Sequence, residues 1–506
     1  MLFNSYSFLF VFLPITLLGY FSFGRVSRRL GATWLAGASL FFYAWWDYRY
    51  IALLLVSICA NYTAGSYISK HAGEQRGRRI LVVAIAINLM LLGYYKYADF
   101  FVVSANSIAG TTWPVLGIIL PIGISFFTFT QIAFLADAYA GKVKETEFVN
   151  YLLFVTYFPH LIAGPVLHHK EMMPQFALDR NYKPLAENFG VGLSFFVLGL
   201  AKKVLIADNL AGYASPIFDT NAASPSLFAA WGGSLAYTLQ LYFDFSGYSD
   251  MAVGLARMFG VRLPLNFNSP YKARSIAEFW RRWHMTLSRF LKDYLYIPLG
   301  GNRHGPTRRQ LNLATTMILG GLWHGAGWNF VIWGALHGLF LVVHQGWQGL
   351  CRYIPFTLPR KLTHILAVLV TFLCVVFAWV YFRAPDLATA NRVVTGMLGG
   401  FGGALPEPIL ARLGFFRPLL EGMGIQSYLG GGAVFVETWA WVAAGSVIAF
   451  FAPNTQEIVA HFESASADSH HQPRALTSLH AVSLGMLLGV AILALSRPTE
   501  FLYFQF

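Results

Sequence analysis

Charge is scarce in this chain. Only 12% of its 506 residues are Asp, Glu, Lys or Arg, against about 25% in an average soluble protein. That shortage excludes an ordinary water-soluble globule. Acidic residues are the scarcer sign, 23 against 36 basic ones, and the formal net charge is +13. Cysteine is nearly missing. Cys59, Cys351 and Cys374 are too few and too scattered for a disulfide framework. Two of them lie in apolar runs and read as small packing residues. Metal-ligand spacing is missing too. There is no His-Glu-x-x-His pattern, and the pairs His168–His169 and His470–His471 fall near predicted ends or loops. No metal site is expected. No nucleophile elbow, phosphate loop or dinucleotide fingerprint stands in a supporting context.

What the chain has is long apolar runs. Residues 5–24, 79–95, 225–243, 362–383, 434–452 and 476–495 each suit a membrane helix, which needs roughly 20 apolar residues. Barrel strands would instead alternate over about 10 residues. The fold class is therefore an all-α polytopic membrane protein, with about 10–12 membrane segments plus re-entrant or interfacial helices. The first apolar run precedes its basic cluster, Arg25, Arg28 and Arg29. A cleavable signal has the reverse order. Those arginines stay inside and put the N-terminus outside. Further basic loops at 70–79, 141–145, 301–309 and 351–361 are also expected inside. The excess of positive charge is thus a topology signal, and no nucleic acid is expected as a partner.

The simplest organisation is one domain over 1–506. It has peripheral helices at 1–110, a core at 115–350, an outer loop at 384–433 and C-terminal helices at 434–506. The polar tail at 454–475 is expected inside, and the terminal TEFLYFQF at the outer interface. Pro159, Gly164 and Pro165 should break the segment 147–169. Broken backbone at membrane depth needs protein or a wet cavity around it.

Three polar-rich stretches interrupt the oil. YFDFSGYSDMAVGLARMFG, 242–260, puts Asp244, Ser246, Ser249 and Asp250 at the edge of a membrane segment. Such carboxylates face a cavity or a partner. The main expectation is pairing with an arginine such as Arg257, and the alternative is a direct role. The second stretch, 266–303, reads as an amphipathic helix starting near Pro270 and ending at Gly300–Gly301. Glu278 and Arg282 are spaced for a salt bridge, and Trp280, His284 and Ser288 should share one face. Two readings stay open. One is an interfacial helix holding anionic lipid through Arg281, Arg282, Arg289 and Lys292. The other is a mouth for a negatively charged donor.

The third stretch is GGLWHGAGWNF, 320–330. Basic loops on both sides are inside, so the chain must go in and return, with His324 near the turn. Gly320, Gly321, Gly325 and Gly327 permit close approach, and Trp323 and Trp328 supply flat walls. Desolvation favours the neutral imidazole, which suits a general base. Catalysis, a structural role and a proton relay remain the options on physical grounds.

EFWRRWHMTLSRFLKDYLYIPLGGNR and GGLWHGAGWNFVIWGALHG together resemble the membrane-bound O-acyltransferases, and more narrowly the alginate O-acetyltransferase branch. YFPHLIAGPV (157–166), NFNSPY (266–271) and FLYFQF support the resemblance, which spans most of the chain from about residue 120 on. The resemblance implies a ring of tilted helices around a tunnel. It makes His324 of Trp-His-Gly the catalytic base and His284 of Arg-Trp-His-Met the second polar position. It implies a cytoplasmic acyl donor, here acetyl-CoA, and an acceptor hydroxyl from the other side. Trp323, Trp280, Arg281, Arg282, Ser288 and Asn329 are expected at the substrates. Asp244, Asp250 and Glu278 are expected in a polar network. No permanently bound cofactor is expected. The expected function is acetylation of an exported polysaccharide such as alginate from the bacterial inner membrane, through a periplasmic esterase-like partner, with membrane lipids around the chain. The alternatives are a transporter or flippase for lipid-linked sugar, a scaffold for a polysaccharide synthase, and acyl transfer to peptidoglycan or teichoic acid.

Overall fold

The computed structural model describes residues 1–143, 147–162, 164–351, 353, 359–460, 478–496 and 502. The terminal FLYFQF and most of the 454–475 tail lie outside the described residues, Leu502 excepted. The fold is all-α and polytopic. Among the described residues, seven helices are long and apolar enough to cross a membrane: Phe8–Val26, Tyr48–Lys70, Gln75–Ala109, Ala186–Phe218, Trp328–Leu350, Arg360–Arg383 and Gly432–Phe451. Leu479–Ala494 is apolar but shorter. The expected run at 225–243 lies in the 32-residue helix Leu227–Met258, which is not among the seven. Its charge-free first half is itself only mildly apolar, because Trp231, Gly232, Gly233, Ser234, Tyr237, Thr238 and Gln240 interrupt the leucines and phenylalanines.

The chain forms two compact units. The first comprises Met1–Ala201, Gly247–Asn266 and Thr455–Arg497. Its helices are joined by buried polar pairs. Asn61 and Asn88 exchange side-chain hydrogen bonds at 3.2 and 2.7 Å, and the Gln131 amide donates to Ser57 Oγ at 3.1 Å. Polar side chains in lipid need such partners. Helices Ala186–Ala201 and Leu227–Met258 touch backbone to backbone here. A Cβ on Gly254 would come within 2.4 Å of the Gly192 carbonyl. The segment around Pro159 breaks as expected. Helix Phe148–Thr156 stops at Tyr157, a four-residue helix Phe158–Leu161 follows, and the next helix begins at His169.

The second unit comprises Lys202–Ser246, Phe267–Asn454 and Pro498–Phe506. Its core is aromatic, with Trp283, Trp333, Trp379, Phe279 and Tyr271 all buried in one cluster. Two helices, Gly305–His324 and Trp328–Leu350, form a tight hairpin in it. The hairpin closes on missing side chains. A Cβ on Gly321 would sit 2.3 Å from the Phe330 carbonyl, and one on Gly334 2.4 Å from that of Met317.

Two expectations change in this unit. The stretch 266–303 is not one helix. It runs as a 3₁₀ turn Pro270–Lys272, helix Ile276–Trp280, helix Met285–Leu291 and a π-turn Lys292–Tyr296. The break falls at His284, whose backbone is left-handed at φ 41, ψ 53, so Trp280 and His284 do not share a helix face. The stretch 384–433 also carries more structure than a loop. Gly403–Pro406 and Ile425–Tyr428 pair as parallel strands, with Gly403 opposite Ile425. Helices Leu387–Met397, Glu407–Arg412 and Arg417–Gly422 accompany them.

Candidate active site

His324 is the last residue of its helix, and Gly325 is the C-cap. Its ring is half-buried. Trp323, Trp333 and Phe382 surround it edge-on at centroid distances of 4.9, 5.2 and 5.1 Å. Two consequences follow. The aromatic walls hold the imidazole away from bulk water while one part stays reachable. The carbonyl end of the helix favours a developing positive charge on the ring when it takes a proton.

His284 is reached from the other direction. Helix Ile276–Trp280 starts at Ser275, whose hydroxyl accepts from Glu278 N at 3.2 Å. The chain then turns, and the backbone at Asn268 brackets the turn. Asn268 N donates to the Arg282 carbonyl at 2.9 Å, and an Arg282 guanidinium nitrogen donates to the Asn268 carbonyl at 3.2 Å. Asn454 Nδ2 adds bonds to Asn268 Oδ1 at 3.0 Å and Ser269 Oγ at 3.1 Å. Among the described residues, Ser269 and His284 are the non-glycine residues with positive φ. Left-handed backbone costs an ordinary residue about 1–2 kcal/mol, so this bracket holds the loop against strain, as functional sites do. His284 itself is fully buried. Its ring meets Phe245 edge-on at 4.9 Å. Burial lowers its pKa to about 3, so it is neutral near pH 7.

Two cavities flank the helix Ile276–Trp280. One, of about 450 Å³, is lined by Trp280, Arg281, Ser288, Arg289, Lys292, Thr316 and Met317, among others. The second, of about 510 Å³, is more polar and is lined by Ser275, Arg281, Arg309, His344, Gln345 and Gln348, among others. Arg281, Ala277 and Leu341 belong to both walls. Neither Arg281 nor Arg309 has a carboxylate within ion-pair distance among the described residues. Met317 is seven residues before His324, about 10 Å along the helix axis. Trp280 links the first cavity to the histidine cage, because its ring is 5.8 Å from Trp333.

The expected site residues therefore separate. Trp280, Arg281 and Ser288 come together in one cavity wall. Trp323 stands against His324. Arg282 is held by Glu278 at 2.9 Å. Burial works to raise the Glu278 pKa, but the Arg274 backbone N–H and the Arg282 guanidinium hold it below the usual carboxylate range. Asn329 is buried and donates to the Ala384 carbonyl at 2.7 Å. The carboxylates of the long helix have partners on other segments. Asp244 pairs with Lys203 at 2.6 Å, and Lys203 also meets Asp208 at 2.6 Å. Asp250 accepts from Thr455 Oγ1 at 2.6 Å. Arg257 pairs with Glu187 at 3.0 Å. Sequence reasoning missed Lys203, Asn268, Arg309, His337 and Asn454. Lys203 alone carried a signal, a lysine at the end of an apolar run. Among the described residues no cluster of three or more His, Cys, Asp or Glu could hold a metal ion.

A neutral buried imidazole, a second one caged at a helix end, and two cavities walled by arginines are the groups that group transfer within a membrane protein would use. The membrane-bound O-acyltransferase family profile matches residues 40–383. A peptidoglycan O-acetyltransferase of Helicobacter pylori is 46% identical over 432 residues, covering 80% of this chain and 81% of that one. A Pseudomonas aeruginosa protein named "probable alginate O-acetylase AlgI" is 43% identical over 404 residues, covering 78% and 75%. A teichoic acid D-alanyltransferase of Streptococcus thermophilus is 28% identical over 242 residues, covering 45% and 57%. The chain belongs to the membrane-bound O-acyltransferase family, and it is an acyltransferase.

Proposed function

We propose that the chain moves an acetyl group from cytoplasmic acetyl-CoA to a hydroxyl presented from the far side of the bacterial inner membrane, for O-acetylation of an exported glycan such as alginate. The observation that carries this reading is His324 in its aromatic cage, two helical turns from a cavity walled by Arg281, Ser288 and Trp280. Relatives named for peptidoglycan and for alginate stand at 46% and 43% identity, which supports a glycan-directed acetyl transfer and favours neither polymer.

In the proposed reaction, His324 Nε2 takes the proton of the acceptor hydroxyl as its oxygen attacks the thioester carbonyl. The O–C bond forms and the C–S bond breaks. The imidazolium then returns its proton to the leaving thiolate, so the enzyme ends unchanged. Positioned proton transfer of this kind contributes roughly 10²–10⁴-fold in rate. His284, neutral and rigidly held, orients the donor or donates one N–H to the developing oxyanion. Arg281 and Arg309 hold the phosphates of the donor. Arg282 has a weaker claim, since Glu278 occupies it. The acceptor hydroxyl belongs to a periplasmic esterase-like partner or to the glycan. Both termini are read on the outer face.

The test is His324→Ala expressed in membranes at wild-type level. Loss of polymer O-acetylation and of label transfer from acetyl-CoA supports the reading, and retained acetylation ends it. A sugar transporter would instead show no turnover of acetyl-CoA by the wild-type protein.

A further inference from the structure

We propose that His337 is a positioning residue for the donor cavity, holding the Trp280 indole in the orientation that walls it. The inference rests on the reading that this cavity takes the acetyl donor. Trp280 Nε1 lies 3.3 Å from His337 Nδ1. An indole nitrogen can only donate, so the imidazole nitrogen must accept. The bond therefore fixes His337 as the neutral tautomer with its proton on Nε2. Nothing else in the surroundings asks for an imidazole. The side chain is fully buried. Phe279 lies parallel to it at 6.1 Å, and Trp333 and Trp280 meet it edge-on at 4.9 and 5.1 Å. Its Nε2 has no hydrogen-bond partner among the described residues.

A leucine or phenylalanine would fill this slot without leaving a buried polar atom unmet, an omission that costs about 1–3 kcal/mol. What the imidazole adds is one acceptor, and that acceptor serves Trp280. The indole it holds has two other faces of interest. One lines the cavity beside Arg281 and Ser288. The other packs on Trp333, which also touches the His324 ring. Trp280 is thus a shared wall, and its rotation would change the cavity's shape without touching the base. Loss of the hydrogen bond should weaken donor binding and spare the chemical step.

The experiment measures KM and kcat for acetyl-CoA by label transfer in membranes containing the full chain. His337→Leu keeps the bulk and removes the acceptor. Trp280→Phe keeps a ring and removes the donor. Each should raise KM about threefold to tenfold, the size of one neutral hydrogen bond, with kcat within twofold of wild type. The double variant should be no worse than the more impaired single one. His337→Asn, which places an amide oxygen near the Nδ1 position, should recover most of the loss. Additive singles, no rescue by asparagine, or a fall in kcat at unchanged KM would overturn the assignment. Arg281→Gln is the reference. If it raises KM while His337→Leu does not, the positioning role alone fails. If neither moves KM, the donor-cavity reading fails and the assignment with it.

Discussion

Arg282 is locked to Glu278 at 2.9 Å, whereas Arg281, its neighbour in sequence, faces two cavities with no carboxylate in reach among the described residues. Adjacent residues of the same type therefore carry different loads. Arg281→Gln should raise KM for acetyl-CoA about tenfold, the value of one charge-assisted hydrogen bond, at normal protein level. Arg282→Gln should leave that KM within about twofold and lower the melting temperature of the detergent-solubilised protein. Equal effects on KM from both would refute the division.

The Lys203 triad makes a sharper demand on stability. Lys203→Met leaves Asp208 and Asp244 without their ammonium in a buried site. Breaking one partner of a buried pair costs about 3–5 kcal/mol. Folded protein recovered by size-exclusion should fall severalfold. Lys203→Met combined with Asp244→Asn should recover part of it. A single variant as stable as wild type would show that the triad is not charged as drawn.

The hairpin offers a graded series. Gly334→Ala drives a methyl to 2.4 Å from the Met317 carbonyl, Gly338→Ala reaches only 3.1 Å from Ala314, and Gly346→Ala meets nothing within 4 Å. Overpacking of this kind costs roughly 1–3 kcal/mol. Acetyl transfer should fall steeply for the first, mildly for the second and not at all for the third. The three rates, normalised to protein level, check the order.

Acid stability follows from two buried imidazoles. Burial lowers His284 to about 3 and His160 to about 4, while the unfolded chain titrates near 6.5. Between those values the unfolded chain binds more protons, so stability rises with pH. The full contribution is present above about pH 6.5 and declines as pH falls below it, by up to about 1.4 kcal/mol per pH unit for each group. Asparagine tolerates left-handed backbone, so His284→Asn removes one titration at small backbone cost. Melting temperatures between pH 7 and 5 should then fall less steeply than in the wild type. An unchanged slope would mean that His284 does not titrate on unfolding in this range.

The apolar runs, the break at Pro159 and the histidine hairpin were legible because each depends on local composition. Glycines flanking a lone histidine between basic loops can only turn back. The helix break at His284 was not legible. Asn268 and Asn454 brace the loop beside it, and hydrogen bonds between distant segments leave no periodicity to read. The same holds for Asp244. Its ion-pair partner Lys203 lies on another segment, and no local spacing announces that pairing. The strands at 403 and 425 hid for a different reason. They are four residues long and rich in glycine, proline and polar residues, with no alternation to mark them.

The interleaved membership of the two units constrains biosynthesis. The earlier unit draws on residues as late as Arg497, and the later one includes the nine residues after it. The first unit therefore cannot be completed from residues 1–201 alone, because it also takes in Gly247–Asn266 and chain from Thr455 on. The Asn61–Asn88 pair joins helices made early, only 27 residues apart, whereas the bond from Thr455 to Asp250 spans 205 residues and forms late.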